Sequence, residues 1–313
     1  LPTLLQILDG RPPAISDPVR VMQAPGSDFS YSGGGYLVVQ QLIEDVTGRS
    51  LADLAQEWIF DKLGMANSTF YQPLPRAYFP RAGTAHLPSG EPVPGKWHTY
   101  PEQAAGGLWS TPSDLARLVG EMLKSFKGQS NLVLSPEMTR QMVTQWSKWY
   151  GMGFWILKTD GLTRFEHPGW NEGYHSYMGG CPGVRGGVVW MTNGENGILL
   201  GRKVLCALTE VLGWPGFKPV EKVLARVDPA VFAQYVGKYR YVDDPDYFGQ
   251  ITQDGESLFL QEVAGGIYFR LYPQSETEFF RLEAPERITL VKNQAGKIEG
   301  MKIGEYIHLE RVQ

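Results

Sequence analysis

The sequence predicts an α+β fold followed by a small all-β domain, and three observations carry this prediction. Apolar residues recur at the i, i+3, i+4, i+7 spacing of an amphipathic helix over residues 39–46. From residue 150 onward, short strand-like segments are separated by the turn signals Asp160-Gly161 and Pro182-Gly183. Beyond residue 228 the chain contains only short strand-like segments and turns.

The change from helical spacing to strand-like segments along the chain predicts two domains joined by a linker. We expect a mixed α+β domain at residues 1–215, a linker at 216–227 and an all-β domain at 228–313. Turn signals at Asp254-Gly255 and Gly265-Gly266 separate the short strands of the second domain. That pattern is typical of a small barrel or sandwich.

The helices of the first domain are marked by their ends. Gly48 is placed to stop the helix that carries the apolar stripe. Ser50, with Asp53 three residues later, is typical of the start of the next helix. Thr111-Pro112-Ser113-Asp114 and Ser135-Pro136 each combine an N-cap residue with a proline at the first helical position.

The remaining elements follow in order. Residues 71–108 are rich in proline and glycine, and a loop of that length usually covers a site or is partly disordered. Strands are predicted at residues 150–157, 163–167, 173–179 and 187–192. The segment 198–212 is predicted to be a helix, which the Gly213-Trp214-Pro215-Gly216 turn ends.

Composition argues against several classes of function. The 313 residues are 42% hydrophobic and 20% charged, with a net charge of −4, so there is no basic surface for nucleic acid. No apolar run approaches the roughly 18 residues of a membrane span. The start of the sequence has no basic region typical of a signal peptide. It also lacks an initiator methionine, which fits a processed or truncated chain. A periplasmic, extracellular or cytoplasmic location therefore stays open.

Metal binding and a disulfide framework are also not indicated. The five histidines are scattered and form no compact ligand set, so neither a metal nor another cofactor is expected. Cys181 and Cys206 are the two cysteines, and they read as two buried thiols, with a single disulfide as the alternative.

Two short motifs carry the chemical argument. Tyr31-Ser32-Gly33-Gly34-Gly35-Tyr36 places a tyrosine and a serine on a turn before a helix, and His167-Pro168-Gly169-Trp170-Asn171 places a histidine and a glycine on a strand. The chain thereby resembles the serine β-lactamase and penicillin-binding-protein superfamily, in its class C-like esterase and D-aminopeptidase branch. That family uses Ser-x-x-Lys, Tyr-x-Asn and Lys/His-x-Gly motifs. This chain has versions of the second and third, and no Ser-x-x-Lys.

The resemblance implies a role for each matching residue. Tyr31 would be the general base that takes the proton of the nucleophilic serine, and His167 would be its polar or cationic partner. A phenol has a pKa near 10, so a base of this kind needs cationic neighbours. Ser32, Gly169 and Trp170 are assigned to substrate binding, with the Trp170 backbone N–H as one donor of an oxyanion hole.

Two departures from the family pattern narrow the substrate class. Gly33 stands where the family has the asparagine of Tyr-x-Asn, and Pro168 stands where a threonine is usual. In the family, the asparagine helps to hold the substrate amide and the catalytic lysine, and the threonine hydroxyl binds the carboxylate of β-lactam substrates. The substrate expected from the resemblance is therefore an ester or a D-peptide, and less readily a β-lactam.

The missing Ser-x-x-Lys leaves two hypotheses open. The resemblance covers residues 1–215 but only the later part of the family's fold, so the sheet is expected to be incomplete, with the strand at 187–192 lacking a neighbour. On the first hypothesis the nucleophile lies in an N-terminal fragment of the same protein, which is then a partner, and this chain alone is inactive. On the second, the chain is a catalytically inactive binding or interaction module, or a truncated fragment.

Overall fold

The described residues of the chain form two compact units. The computed structural model describes residues 1–184, 186–218, 220–242, 248–262, 268–282, 284, 286–305 and 307–312. The first unit comprises Leu1–Gly197 with Ala207–Gly216, and the second comprises Ile198–Cys206 with Phe217–Gln313. The expected boundary at 215 and linker at 216–227 stay predictions.

The α-helices lie between residues 4 and 212, and those predicted after Gly35, Ser50, Thr111 and Ser135 and at 198–212 are present. In chain order, the α-helices are α1 (Leu4–Asp9), α2 (Gly33–Thr47), α3 (Leu51–Ala55), α4 (Asp61–Leu63), α5 (Gln103–Gly106), α6 (Pro112–Phe126), α7 (Pro136–Met142) and α8 (Gly197–Leu212). A π-helical turn at Gln56–Phe60 joins α3 to α4, and 3-10 helices form at Arg76–Arg81 and Pro229–Gln234.

The helix ends lie where the capping residues predict. Ser50, Thr111 and Ser135 are N-caps whose side chains each accept a hydrogen bond from a backbone N–H of the first turn. Gly48 ends α2 in the left-handed conformation, with φ of 66°. The side-chain oxygens of the three N-caps bind first-turn amides that would otherwise lack partners. The local sequence is therefore sufficient to predict where these helices begin.

The apolar stripe of α2 is exposed, contrary to the buried face that its spacing predicts. Val39, Leu42 and Val46 are 47%, 60% and 77% exposed. The buried residues of this helix are Leu37 and Gln40. The stripe therefore faces away from the described part of the first unit.

A four-stranded antiparallel sheet follows α7. Its strands are β1 (Trp155–Thr159), β2 (Leu162–Asn171), β3 (Tyr174–Gly180) and β4 (Gly187–Thr192), hydrogen-bonded in that order. The first strand was expected from residue 150, but Gly153 has a φ of +82° and the chain turns there, so β1 begins at Trp155. Strand β2 is longer than predicted and runs through the whole His167–Asn171 motif.

Helix α6 packs on this sheet and closes the core of the first unit. Val119, Met122 and Leu123 of α6 are buried in one cluster with Ile156 and Phe165. Strand β4 lies at the edge of the sheet, and β3 is its partner among the described strands. An exposed strand edge presents unpaired backbone groups to which another strand can bind.

The second unit is a closed eight-stranded barrel. Its strands are β5 (Gly237–Tyr241), β6 (Phe248–Asp254), β7 (Ser257–Glu262), β8 (Tyr268–Pro273), β9 (Glu278–Phe280), β10 (Arg287–Lys292), β11 (Ile298–Ile303) and β12 (Ile307–Val312). Each pairs with its sequence neighbours, and β12 closes on β5. The Asp254-Gly255 turn joins β6 to β7, whereas Gly265-Gly266 lies outside the described residues.

This barrel confirms the all-β C-terminal prediction and selects the barrel over the sandwich. Its interior is filled by apolar side chains, among them the fully buried Tyr239, Ile251, Leu260 and Ile288. The α+β prediction for the first part is confirmed as well. Cys181 and Cys206 are free thiols, of which Cys181 is buried. Within the described residues, no helix has the length and apolar character that a membrane crossing needs.

Candidate active site

One cleft of about 590 Å3 in the first unit brings the two sequence motifs together. Tyr31 lies on one side of it, and strand β2 contributes His167, Gly169 and Trp170. Residues of the long loop between 71 and 108 line the rest, together with parts of β3 and β4. The loop that the sequence marked as a possible cover thus forms part of the wall.

Tyr31 is positioned by the start of α2. Ser32 is the N-cap of this helix, and its Oγ accepts a hydrogen bond of 2.9 Å from the Gly35 backbone N–H. The Tyr31 ring lies between two other rings, with centroid distances of 6.3 Å to His167 and 6.2 Å to Tyr150. Tyr31 is 58% exposed, so its phenol is accessible to a substrate.

Helix α5 links the element that carries Tyr31 to the strand that carries His167. On one side, the buried Gln40 of α2 accepts a hydrogen bond from the Ala104 backbone N–H at 3.1 Å. On the other side, Asn171 Nδ2 at the end of β2 donates to the Gly106 carbonyl at 2.9 Å. Each contact joins residues 64 or 65 positions apart, and together the two contacts hold both motifs against one short helix.

His167 is half-buried, and its tautomer follows from its hydrogen bond. Nδ1 lies 2.6 Å from the Pro168 carbonyl oxygen, which can only accept, so Nδ1 carries the proton. Burial lowers the pKa of His167 below its usual value, although the Pro168 carbonyl and Glu166 act in the opposite direction. A neutral imidazole with a free lone pair on Nε2 is favoured near pH 7, rather than the cation.

Gly169 lies on β2 beside the cleft, opposite Ser176 of β3. It pairs with Ser176, and a Cβ added at Gly169 would lie 2.4 Å from the Ser176 Oγ. The family resemblance assigns Gly169 to substrate binding. The structure adds that Ser176 on the neighbouring strand occupies the space that a side chain would need.

Trp170 is fixed by a buried carboxylate that sequence reasoning missed. Glu195 is 2% exposed, and its carboxylate accepts hydrogen bonds from Trp170 Nε1 at 2.6 Å and from the Gly173 backbone N–H at 2.5 Å. Trp170 lies near the end of β2, and Gly173 lies in the turn that joins β2 to β3. Glu195 therefore ties the end of β2 to the turn that follows it and fixes the position of Trp170.

His175 completes this cluster. It is 6% exposed, stacks on Trp170 with a centroid distance of 6.0 Å, and has its Nε2 3.7 Å from a Glu195 oxygen. Burial lowers the pKa of His175, while the charge of Glu195 raises it. No local pattern marks Glu195, because its partners lie 22 and 25 residues away.

A second, smaller cavity of about 210 Å3 lies on the other side of Tyr31. Tyr36, Tyr150 and Ser32 line it, so Ser32 faces this cavity and not the larger cleft. Burial raises the pKa of Tyr36, and it raises that of Tyr150 to about 12, so both phenols stay protonated. No lysine is among the described residues that line either cavity.

The described part of the chain brings no three His, Cys, Asp or Glu side chains into an arrangement that could hold a metal ion. The chemistry that the described residues can support is therefore that of a phenol, an imidazole and backbone donors. Such a set suits proton transfer and the stabilisation of an oxyanion.

Comparisons with known proteins give a matching family model and two curated relatives. A family model described as Beta-lactamase matches residues 8–203. Penicillin-binding protein 4* of Bacillus subtilis (strain 168) is 26% identical over 279 residues, which are 82% of this chain and 60% of that protein. The teichoic acid D-alanine hydrolase of Staphylococcus aureus (strain MRSA252) is 29% identical over 150 residues, covering 45% of this chain and 37% of that protein.

Two solved structures share the fold over nearly the whole chain. The octameric penicillin-binding protein homologue from Pyrococcus abyssi is 21% identical with a TM-score of 0.55, covering 99% of this chain and 70% of that one. SurE with D-Leu is 19% identical with a TM-score of 0.52, covering 93% of this chain and 69% of that one. The chain spans 60% or less of the length of the two curated relatives described above.

Proposed function

The chain belongs to the β-lactamase family, and on that premise we propose that it supplies part of the active site of a serine hydrolase. The family match confirms the resemblance stated from the two motifs, and the shared fold of the solved structures confirms the fold class. The proposed reaction transfers an acyl group from an ester or a D-amino-acid peptide or amide to a serine, and then to water.

One observation carries this proposal: Tyr31 and His167 lie side by side in a single cleft, with a ring-centroid distance of 6.3 Å. In the proposed mechanism, the phenolate of Tyr31 takes the proton from the nucleophilic serine as its oxygen attacks the carbonyl carbon. Tyr31 then returns the proton to the leaving group. Because His167 is favoured as the neutral imidazole, we assign it the role of hydrogen-bond acceptor, and the cation that a tyrosine base needs has to come from elsewhere.

We assign that cation and the nucleophile to residues outside these 313. The sequence contains no Ser-x-x-Lys, and no lysine is among the described residues that line the cleft. The backbone N–H of Trp170, near the end of β2 and beside the turn held by Glu195, would be one donor of the oxyanion hole. Gly169 would complete the substrate-binding side of the cleft, and Ser32 would contact only a part of the substrate that extends past Tyr31 into the smaller cavity.

The substrate class is proposed from the relatives and from two substitutions. The names of the relatives point to a penicillin-binding protein and to the removal of D-alanine from teichoic acid. Gly33 and Pro168 replace side chains that hold β-lactam substrates in the family. An ester or amide of a D-amino acid is therefore favoured over a β-lactam.

A second function is favoured by the absence of the nucleophile motif. A chain with this cleft and without Ser-x-x-Lys could bind acyl compounds or a protein partner without turning them over. The unpaired edge of β4 in the described sheet would then offer a surface for such a partner.

Hydrolysis of a chromogenic acetate ester and of a D-alanine ester tests the proposal. The chain is assayed alone and together with the polypeptide of the same protein that carries Ser-x-x-Lys. We expect activity only in the combined sample, and a loss of about 10²–10⁴-fold in kcat for Tyr31→Phe. Tyr71→Phe, an exposed tyrosine outside the cleft lining, is the matched control.

Two results would contradict the proposal. Turnover by the chain alone would place the nucleophile within these 313 residues. A combined sample without activity towards any ester or D-amino-acid amide would favour the binding module instead.

A further inference from the structure

Four aromatic side chains line the smaller cavity beside Tyr31. They are Phe29, Tyr31, Tyr36 and Tyr150. The volume of this cavity is about 210 Å3, which is the share of liquid volume taken by about seven water molecules. The cavity is therefore large enough for one small group, and a group bound in it contacts aromatic rings.

Contacts within the first unit hold these rings in place. Tyr150 is 7% exposed, and its ring centroid lies 4.7 Å from that of Phe29 and 6.2 Å from that of Tyr31. The planes of Tyr31 and Tyr150 meet at 77°, so these two rings form a corner and not a stack. The Tyr36 hydroxyl packs against Gly153, where an added Cβ would lie 3.3 Å from it. A ligand would thus meet rings that are already ordered, which lowers the entropy cost of binding.

No charged side chain is among the described residues that line this cavity. Asp28 precedes Phe29 and Lys148 lies close to Tyr150 in the sequence, but these two charged residues form an ion pair with each other at 3.1 Å. Burial raises the pKa of Tyr36, and it raises that of Tyr150 to about 12, so both phenols stay neutral. An anion therefore finds no cationic partner here, and the negative faces of the aromatic rings oppose it.

We propose that this cavity binds a methylated ammonium group, such as the trimethylammonium group of choline. The face of an aromatic ring attracts a cation within about 6 Å of its centroid, and several rings around one site add their attractions. A primary ammonium group suits the cavity less well, because it would give up water without a carboxylate to accept its N–H groups. The proposal goes beyond the proposed function, since this site requires neither a nucleophile nor an acyl group.

The open side of the cavity favours such a cation over a neutral apolar group. Tyr31 and Tyr36 are 58% and 42% exposed, so an apolar group bound between them would stay partly in water and would gain little from burial. A methylated ammonium group has the same burial and gains the attraction of the rings as well. Its charge also remains partly hydrated at the open side, which lowers the cost of binding.

Ligand binding to the full chain tests the proposal without any need for turnover. The two probes are choline and dimethylbutanol, the neutral isostere in which a carbon atom replaces the nitrogen. Titrations followed through the NMR signals of the ligand methyl groups give both dissociation constants. We expect choline to bind about fivefold more tightly than dimethylbutanol. This ratio should persist at high salt, because no ion pair supports it.

Substitutions at Tyr36 separate the aromatic ring from the bulk of the side chain. Tyr36→Leu removes one ring and keeps an apolar side chain, so it should weaken choline binding about threefold and leave dimethylbutanol binding nearly unchanged. Tyr36→Phe keeps the ring and should keep most of the preference. Tyr71→Leu, which removes an exposed ring outside the lining of both cavities, is the matched control. Asp28→Asn removes the carboxylate next to Phe29 and should keep the wild-type ratio.

Each result decides the proposal. Equal binding of choline and dimethylbutanol by the wild type, no saturable binding of choline, or an unchanged ratio in Tyr36→Leu overturns it. A preference for choline that disappears at high salt or in Asp28→Asn also overturns it, because a nearby carboxylate and not the rings would then attract the cation. None of these results bears on the hydrolase, which ester turnover tests separately.

Discussion

Replacing Glu195 by alanine tests whether this buried carboxylate holds Trp170, at the end of β2, and the turn that follows it. The substitution removes the acceptor for two hydrogen bonds, one from the Gly173 backbone N–H at 2.5 Å and one from Trp170 Nε1 at 2.6 Å. It leaves the backbone of the turn and the aromatic stack of Trp170 on His175 without direct alteration.

The expected loss of stability follows from the burial of the two donors. Gly173 is buried, so its amide loses its partner without access to water, which costs about 1–3 kcal/mol. Trp170 is 52% exposed, so water can replace the carboxylate at its indole nitrogen and the added cost stays below about 1 kcal/mol. We therefore expect Glu195→Ala to lower the free energy of unfolding of the first unit by about 1–4 kcal/mol.

Urea unfolding followed by tryptophan fluorescence measures this loss. Glu195→Gln keeps one acceptor oxygen and should lie between the wild type and the alanine variant. Glu57→Ala is the control, since Glu57 forms an exposed ion pair with Arg49 and should change stability by less than about 1 kcal/mol. If Glu195→Ala were no less stable than Glu57→Ala, the positioning role of Glu195 would be refuted.

Two further predictions concern Gly173 in the turn between β2 and β3 and the histidines His167 and His175. Gly173 has a φ of +77°, and a Cβ there would lie 2.6 Å from the Ala85 Cβ, so Gly173→Ala should cost about 2–4 kcal/mol in urea unfolding. Gly120 lies in the middle of α6, where an added Cβ would have no atom within 4 Å, so Gly120→Ala should keep or raise the free energy of unfolding. Equal losses of stability in Gly173→Ala and Gly120→Ala would contradict this explanation. Burial lowers the folded-state pKa of His167 and His175, so the unfolded chain takes up protons first as the pH falls. The stability that these two groups contribute should be complete above about pH 6.5 and decline below it. The midpoint of thermal unfolding should fall between pH 7.5 and 5, less so in a His167→Asn/His175→Gln variant; a midpoint that rises over this interval would argue against the assignment.

Local sequence was sufficient to predict helix ends, because a single capping residue determines each of them. Thr111 and Ser135 mark helix starts because their oxygens bind the first-turn amides, and Gly48 marks a helix end because it adopts a left-handed conformation. The spacing of apolar residues also predicted α2. It could not reveal what covers the stripe, and Val46 is 77% exposed in the structure.

The sequence predicted only part of the candidate site. Tyr31 and His167 are 136 positions apart, and it was the family resemblance, not any local pattern, that brought them together. Glu195 carried no signal, because its hydrogen-bond partners lie on strand β2 and on the turn that follows it, 25 and 22 positions away. Such features depend on the folded chain and not on neighbouring residues.

The central claim is that this cleft is one side of a serine hydrolase site whose nucleophile lies outside these 313 residues. Labelling with a fluorophosphonate probe, followed by mapping of the labelled peptide by mass spectrometry, tests it most directly. We predict that the chain alone takes up no label, and that in its combination with the Ser-x-x-Lys polypeptide the label falls on the serine of that motif. Label on a serine of this chain, such as Ser32 or Ser176 in the two cavities, would contradict the claim.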